Sequence, residues 1–345
     1  MHVTTIGLDI AKRSFQVHGV DSAGSVVVAK SLTRSRVIAF FARLAPCRVG
    51  IEACATGHYW AREIAALGHE VRLIPPAYVK PYLRRNKNDA ADAAAICEAV
   101  SRPSMRFVPV KSAQQQAARS LTRVREQLIS QRTATVNALR GHLAEFGLVQ
   151  AKGLQNVRRL RSFIEDGTDG RLPDLARQSL SVLIGQIDAI SAAIADLDRK
   201  IMAWHRAHEA SLRLATIPGI GVLTAATFAS AVPDPAFFRT GREFAAWLGL
   251  VPRQHGTGGK PRLGRISKRG DARLRGLLIV CASSVLQSLK RRKDGTAAAP
   301  WIAGLLERKP PMVVIVALAN KLARTLWALM ARNDIYRHER GFLAA

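Results

Sequence analysis

Alternation of apolar and polar positions with a period of two opens the chain. It runs through Val3-Thr4-Thr5-Ile6-Gly7-Leu8-Asp9, Ser14-Phe15-Gln16-Val17-His18-Gly19-Val20 and Ser25-Val26-Val27-Val28-Ala29, and Asp21-Ser22-Ala23-Gly24 supplies a turn. Residues 2–30 are therefore expected to form a three-stranded antiparallel meander. A helix is expected at about 35–44, then a strand ending at Glu52, a helix over 59–67, and a strand over 70–74 that Pro75-Pro76 stops. A further helix begins near Asn88.

Meander strands followed by alternating helices and strands describe an α/β domain with a mixed sheet, of the ribonuclease H type, over residues 1–108. From about 112 to 208 the pattern turns helical. Leu180, Leu183, Ile187, Ile190, Ile194, Leu197, Ile201 and Trp204 recur at alternating spacings of three and four, the heptad register of a coiled coil or of a long helix packed in a hairpin. Leu121, Val124 and Leu128, then Val136, Leu139, Leu143 and Phe146, carry the same spacing after a phase shift. Residues 109–210 thus read as a helical hairpin whose seam joins either two protomers or two segments of one chain. Residues 211–345 read as a mainly α-helical, glycine-punctuated domain. In it, Ile217-Pro218-Gly219-Ile220-Gly221-Val222-Leu223-Thr224-Ala225 has the form of a helix-hairpin-helix turn, where backbone N–H groups meet a phosphate. The apolar stretch 312–330 is interrupted by Asn320, Lys321 and Arg324 and reads as a packed helix rather than a membrane span. Asn320 and Lys321 are read as a solvent stripe or as polar contacts to nucleic acid. Trp60, Trp247, Trp301 and Trp327 sit in apolar helical contexts and are expected in the core.

Charge then narrows the class of partner. The chain carries 52 Lys and Arg against 25 Asp and Glu, a formal net charge of +27. Such an excess predicts a polyanionic partner, most simply nucleic acid, with salt-sensitive affinity. It is densest where Arg253, Lys260, Arg262, Arg265, Lys268, Arg269, Arg273 and Arg275 face one acid, Asp271. A hydrophobic content of 48% excludes a disordered chain. Cys47, Cys54, Cys97 and Cys281 are too scattered for a zinc site and fit a reducing compartment, and no signal-peptide pattern is seen. A cytoplasmic, nucleoid-associated protein is expected.

Against this cationic background four carboxylates stand out: Asp9, Glu52, Asp89 and Asp92. Asp9 and Glu52 fall at strand ends that neighbouring strands bring to one sheet edge, and Asp89 and Asp92 are three apart at a helix start, on one face. Hard oxygen donors converging in this way suit Mg²⁺ or Mn²⁺, and two such ions stabilise the attacking and leaving oxygens of a phosphodiester. Singly, each acid has a structural explanation, such as Asp89 complementing a helix dipole.

In order, these residues carry a resemblance. The stretches are Gly7-Leu8-Asp9-Ile10-Ala11-Lys12, Ile51-Glu52-Ala53-Cys54-Ala55-Thr56-Gly57, Lys87-Asn88-Asp89-Ala90-Ala91-Asp92-Ala93, Ile217-Pro218-Gly219-Ile220-Gly221, Gly249-Leu250-Val251-Pro252-Arg253-Gln254-His255, the run from Gly258 to Gly270, and Ala317-Leu318-Ala319-Asn320-Lys321. The chain resembles the IS110 family of insertion-sequence transposases, in the subgroup typified by IS1111. The resemblance implies a resolvase-like DEDD domain whose acids Asp9, Glu52, Asp89 and Asp92 bind Mg²⁺. It implies a helical middle that builds a homo-oligomer, a dimer or tetramer, and a C-terminal domain that supplies a serine nucleophile. It also implies an element-derived noncoding guide RNA that pairs with donor and target DNA, so that the protein reads backbone and shape.

One motif departs from the family pattern. Members carry Ser-Ser-Gly-Gly or Ser-Thr-Gly-Gly before the lysine, whereas this chain has Gly256-Thr257-Gly258-Gly259-Lys260. Gly256 stands at the first hydroxyl position, which leaves Thr257 as the candidate nucleophile. Around it, Gly219, Gly221, Arg253, His255, Lys260, Arg262, Arg265, Lys268 and Arg269 are the candidate nucleic-acid-binding residues, and His255, Lys260 and Arg265 are placed to stabilise a charged transition state. Ser267 is read as a phosphate contact. Two other classes compete with this one. An actin-like ATPase or sugar kinase needs a glycine and a hydroxyl just after Asp9, where Ile10-Ala11-Lys12 follows. A non-catalytic or inactivated nucleic-acid-binding relic draws on Gly256.

Overall fold

Each meander strand forms, as β1 Thr5–Ile10, β2 Ser14–Val20 and β3 Val26–Thr33. A short α1 (Val37–Phe41) follows, preceded by a single 3₁₀ turn at Arg34–Arg36, so the helix expected over 35–44 is cut to five residues. Then come β4 (Arg48–Glu52), α2 (Gly57–Ala65), β5 (Glu70–Ile74), α3 (Pro76–Val79) and α4 (Asp89–Val100). In this computed structural model the described residues are 2–83, 88–232, 234–291 and 300–337; Lys87 of the Lys87-to-Ala93 motif lies outside them. The chain divides into two compact units, Met1–Gln116 and Ala117–Ala345.

The first unit is a five-stranded sheet of order β3-β2-β1-β4-β5. β1, β2 and β3 pair antiparallel, and β4 and β5 add in parallel to β1. This mixed sheet is the ribonuclease H-like arrangement. Ile6, Leu8, Phe15, Val17, Val49 and Ile51 meet Val37, Phe41, Trp60 and Ile64 in a core on the α1/α2 side. On the other face α4 buries Ala95, Ile96, Ala99 and Val100.

The second unit begins in α5 (Ala113–Ala144) and continues through α6 (Val157–Glu165), α7 (Asp174–Arg206), α8 (Glu209–Ala215), α9 (Val222–Ala231), α10 (Gly241–Trp247), β6 (Pro252–Thr257), β7 (Lys260–Ile266), α11 (Ala272–Arg291), α12 (Pro300–Leu306) and α13 (Pro311–Arg332). α5 and α7 run antiparallel: Arg125 pairs with Asp198 near one end, Arg132 donates to Ser191 further along, and Val136 shares a core with Ile187. α6 closes that core at the far end with Leu160 and Ile164. The heptad is thus used inside the chain. Leu180, Ile187, Ile194 and Ile201 are buried, whereas Leu183, Ile190, Leu197 and Trp204 are half-buried. Val124, expected on the seam, is 48% exposed; before the phase shift α5 buries Ala118 and Thr122 instead, and past it Val136, Leu139 and Leu143 are buried as the spacing requires.

The last helices share one core, in which Leu274, Leu278 and Ala282 of α11 meet Val314, Leu318, Leu322 and Leu326 of α13. Among the described residues α7, α11 and α13 are long and apolar enough to cross a membrane by length and composition; the stretch 312–330 is here a packed helix. Two expectations need correction. Trp60 is buried, and the Trp327 indole N–H donates to the carbonyls of Pro235 and Phe238, but Trp247 and Trp301 are 37% and 38% exposed. Lys321 caps the Trp301 ring at 4.7 Å. Asn320 is a bracket rather than part of a solvent stripe, since its amide donates to the Leu250 carbonyl at 3.1 Å and ties α13 to the segment entering β6.

Candidate active site

The acidic site is assembled by register. β1 and β4 lie side by side with Gly7 opposite Gly50 and Leu8 opposite Ile51, so Asp9 and Glu52 come next in line, on the face that Gly7 and Gly50 present to α4. Both glycines are there for close approach: a Cβ at Gly7 would lie 2.1 Å from the Ala93 carbonyl oxygen, and one at Gly50 would lie 2.8 Å from Val100 Cβ. With nothing between them, α4 rests directly on β1 and carries its first turn over Asp9. Asn88 starts that helix, its side chain accepting from the Ala91 N–H at 2.8 Å. Asp89 and Asp92 follow in the first turn, where the helix dipole favours negative charge.

As a result, carboxylate oxygens of Asp9, Asp89 and Asp92 lie within 4.8 Å of one another. Glu52 is not in this tight group; it sits one strand across, near enough for its charge to act on Asp9. Burial first, then the charges of Asp92, Asp89 and Glu52, push the Asp9 carboxyl up to about 6. Such crowding of like charge is what a divalent cation relieves. An all-carboxylate donor set, partly buried and in a chain of net charge +27, fits a hard ion. Cys54 reaches the surface beside this site, and partial desolvation first, then the Glu52 and Asp9 charges, raises its thiol.

The basic motif takes a form that its sequence pattern does not suggest. Pro252–Thr257 and Lys260–Ile266 pair as an antiparallel hairpin, closed by Gly258 and Gly259 at φ +58° and +74°. Two successive left-handed residues make the tight turn that matches strand twist, and only glycine adopts it without strain. Thr257 pairs directly with Lys260, and His255 with Arg262, while Gly256 pairs with Pro261 on the opposite face. All of β6 is exposed. Arg253 donates to the Ser267 carbonyl, and the half-buried Ser267 donates its N–H to Val251, so Ser267 helps anchor the hairpin base. Lys268 and Arg269 are exposed just beyond, and Lys268 holds a left-handed backbone at φ +54°. Arg275, counted with the basic run, is instead buried and donates to the carbonyls of Leu248 and Arg269.

Gly219 and Gly221 lie between α8 and α9, as the helix-hairpin-helix reading requires. They differ in surroundings: a Cβ at Gly219 would strike Val285 at 2.2 Å, whereas Gly221 is open and forms the N-cap of α9. Sequence reasoning missed the Gly7–Gly50 pair, whose signal was glycine two positions before each strand-end acid. It also missed the hairpin, for which Gly258-Gly259 was the available cue.

Comparison with known proteins gives the family. Residues 6–147 match a family model described as a transposase, of the DEDD type of IS110, and residues 211–296 match one described as Transposase IS116/IS110/IS902 family. A probable family 20 transposase of Pseudomonas aeruginosa is 50% identical over 98% of this chain and 99% of its own length. The transposase for insertion sequence element IS1328 of Yersinia enterocolitica is 39% identical over 97% of this chain and 99% of its own. That for IS1111A of Coxiella burnetii is 38% identical over 97% and 92%. With both halves matched in order and relatives of this identity covering nearly its full length, the chain belongs to the IS116/IS110/IS902 family of insertion-sequence transposases.

Proposed function

We propose that this transposase cleaves and exchanges DNA strands with Mg²⁺ or Mn²⁺ held by Asp9, Asp89 and Asp92, with Glu52 alongside, under the guidance of an element-derived noncoding RNA. The observation that carries the reading is the convergence of three carboxylates on Asp9 in an otherwise cationic chain. When bound, the ions supply charge neutralisation at a phosphodiester. Asp9, Asp89 and Asp92 would supply the oxygens that hold them, with their spacing fixed by α4. Thr257, beside the turn of the hairpin, would give its Oγ1 to phosphorus as its hydroxyl proton passes to solvent and the P–O bond to one strand end breaks, that end leaving as a hydroxyl that can later reverse the step; Lys260, paired with Thr257, and Arg265 of the same hairpin hold developing negative charge, and His255 joins the residues that position DNA. Gly219, Gly221, Arg253, Arg262, Lys268 and Arg269 position donor and target backbone. Leu183 packs on the α5–α7 core, but the half-buried Ile190, Leu197 and Trp204 that follow it along α7 support a dimer or larger homo-oligomer built on that helix. A cytoplasmic, nucleoid-associated location follows from DNA as the partner.

A second reading has one observation in its favour. Gly256 stands where the family resemblance implies a hydroxyl, and in the hairpin it lies on the face opposite Thr257. In that case the chain binds nucleic acid without cutting it. The deciding experiment is recombination in vitro with purified protein, transcribed element flank, Mg²⁺ and donor plus target DNA, beside Asp9→Ala, Thr257→Ala and Gly256→Ser. Activity in wild type and loss in both alanine variants supports the first reading. Inactive wild type rescued by Gly256→Ser supports the second, and recombination by Asp9→Ala removes the acidic centre from the argument.

A further inference from the structure

Among the described residues the β6–β7 hairpin is a sheet of two strands that no other strand extends. Isolated two-stranded ribbons are marginal in water, and this one has no apolar face packed on the body: all of β6 is exposed, as are Arg262, Leu263, Gly264 and Arg265 of β7. Cross-strand register sorts its side chains. Thr257 with Lys260 and His255 with Arg262 share a face. Arg253 joins them, because a Cβ at Gly264 would lie 3.9 Å from Arg253 Cβ. Gly256 with Pro261 and Gln254 with Leu263 occupy the other face. Among the described residues none of Arg253, Lys260, Arg262 or Arg265 has an ion-pair partner.

We infer that this ribbon lies in the major groove of double-stranded DNA with the Arg253, His255, Lys260 and Arg262 face toward the duplex, an inference that rests on the nucleic-acid reading above and adds the form of the substrate. The major groove of B-form DNA, about 12 Å wide, admits a two-stranded ribbon whose strands are about 4.8 Å apart. β7, at about 3.3 Å per residue, spans roughly six base pairs. Arginine and lysine on the inward face match the N7 and O6 acceptors of guanine. Two other nucleic-acid forms fit poorly. A-form RNA has a major groove too narrow for side chains. Single strands are held by stacking on aromatic rings, and no Phe, Tyr or Trp occurs from Leu248 to Leu274.

The test uses the full chain and fluorescence anisotropy with three probes of one mixed sequence: duplex DNA, duplex RNA and single-stranded DNA. The His255→Ala/Arg262→Ala double variant is expected to lose at least about tenfold in affinity for duplex DNA and less than about twofold for the other two. Duplex DNA premethylated at guanine N7 is expected to bind wild type more weakly, and a minor-groove drug to leave binding unchanged. Equal loss on all three probes, or N7 methylation without effect while the minor-groove drug competes, overturns the inference. Both side chains are exposed, so an unchanged melting temperature confirms that folding is not the cause. Recombination is scored separately. A double variant that keeps duplex affinity sinks the ribbon alone, whereas recombination by Asp9→Asn sinks the metal-centre reading and leaves the ribbon standing.

Discussion

Gly7 and Gly50 lie directly opposite each other in the parallel pair β1–β4, and a side chain at either would run into α4. The acidic site therefore depends on two residues that bear no functional group. Gly7→Ala would put its Cβ 2.1 Å from the Ala93 carbonyl oxygen and 2.4 Å from the Cys97 nitrogen, both backbone atoms of α4. The helix must retreat, and Asp89 and Asp92 retreat with it. The expected result is a loss of about 1–3 kcal/mol in stability together with weaker Mn²⁺ binding. Denaturant unfolding and Mn²⁺ titration measure the two, and normal Mn²⁺ affinity in the variant would refute the link.

Gly185 is the useful contrast. It sits within α7, exposed, with nothing inside 4 Å of a Cβ built there. Gly185→Ala is expected to stabilise the protein by about 0.5–1 kcal/mol, because alanine restricts the unfolded chain and favours helix. A lower midpoint in urea would mean that this face of α7 is occupied in solution.

Asp9 gives a pH dependence whose sign follows from its environment. Its folded carboxyl is raised from an ordinary 3.8 to about 6, so between those values the folded state holds more protons than the unfolded state. Stability of the ion-free protein must then fall as pH rises from about 4 to 6 and stay lower above that. Asp9→Asn removes the penalty. Because the group is half-buried and partly screened, the gain at neutral pH is on the order of 1–2 kcal/mol. Thermal melts in chelator at acid and neutral pH test this. Added Mg²⁺ should reverse the order, stabilising wild type and leaving the variant unmoved; a variant less stable than wild type in chelator at neutral pH contradicts the account.

The α5–α7 hairpin yields a prediction about packing. Ile187 is buried with Val136, Leu139 and Leu143. Ile187→Ala should cost about 2–5 kcal/mol, whereas Val182→Ala, at an exposed position on the same helix, should cost under about 0.5. Equal effects in chemical denaturation would place the true seam elsewhere.

Asn320 holds the entry to β6 through the Leu250 carbonyl. Asn320→Leu keeps the branched shape of the side chain and leaves that carbonyl without this donor, at a cost of about 1–3 kcal/mol. Hydrogen exchange at the Ser267 amide, which donates to Val251 at the hairpin base, should quicken. Unchanged protection there would separate the bracket from the hairpin.

The first unit was legible because its strands are half-buried and short turns separate them; alternation is then imposed by the sheet itself. The hairpin at 252–266 was not, because a ribbon exposed on both faces has no apolar period to display. Only Gly258-Gly259 marked it, and without flanking alternation it read as a loop. Asn320 looked like a break in an apolar helix because the carbonyl it serves is 70 residues away in sequence.

Sequence by itself determined the charge, the order of acids at strand ends and a helix start, and the heptad that makes α7 one helix; these are set by composition and by neighbours within a few residues. Tertiary structure decided the rest. It drew Asp9, Asp89 and Asp92 into one group and left Glu52 beside it, and it buried Leu180, Ile187, Ile194 and Ile201 while leaving the alternate row half open. It also placed Thr257 and Gly256 on opposite faces of a ribbon. Distances of this kind come from how closely one backbone can approach another, and a pair such as Gly7 and Gly50, 43 positions apart in sequence, fixes that only once the strands carrying them are paired.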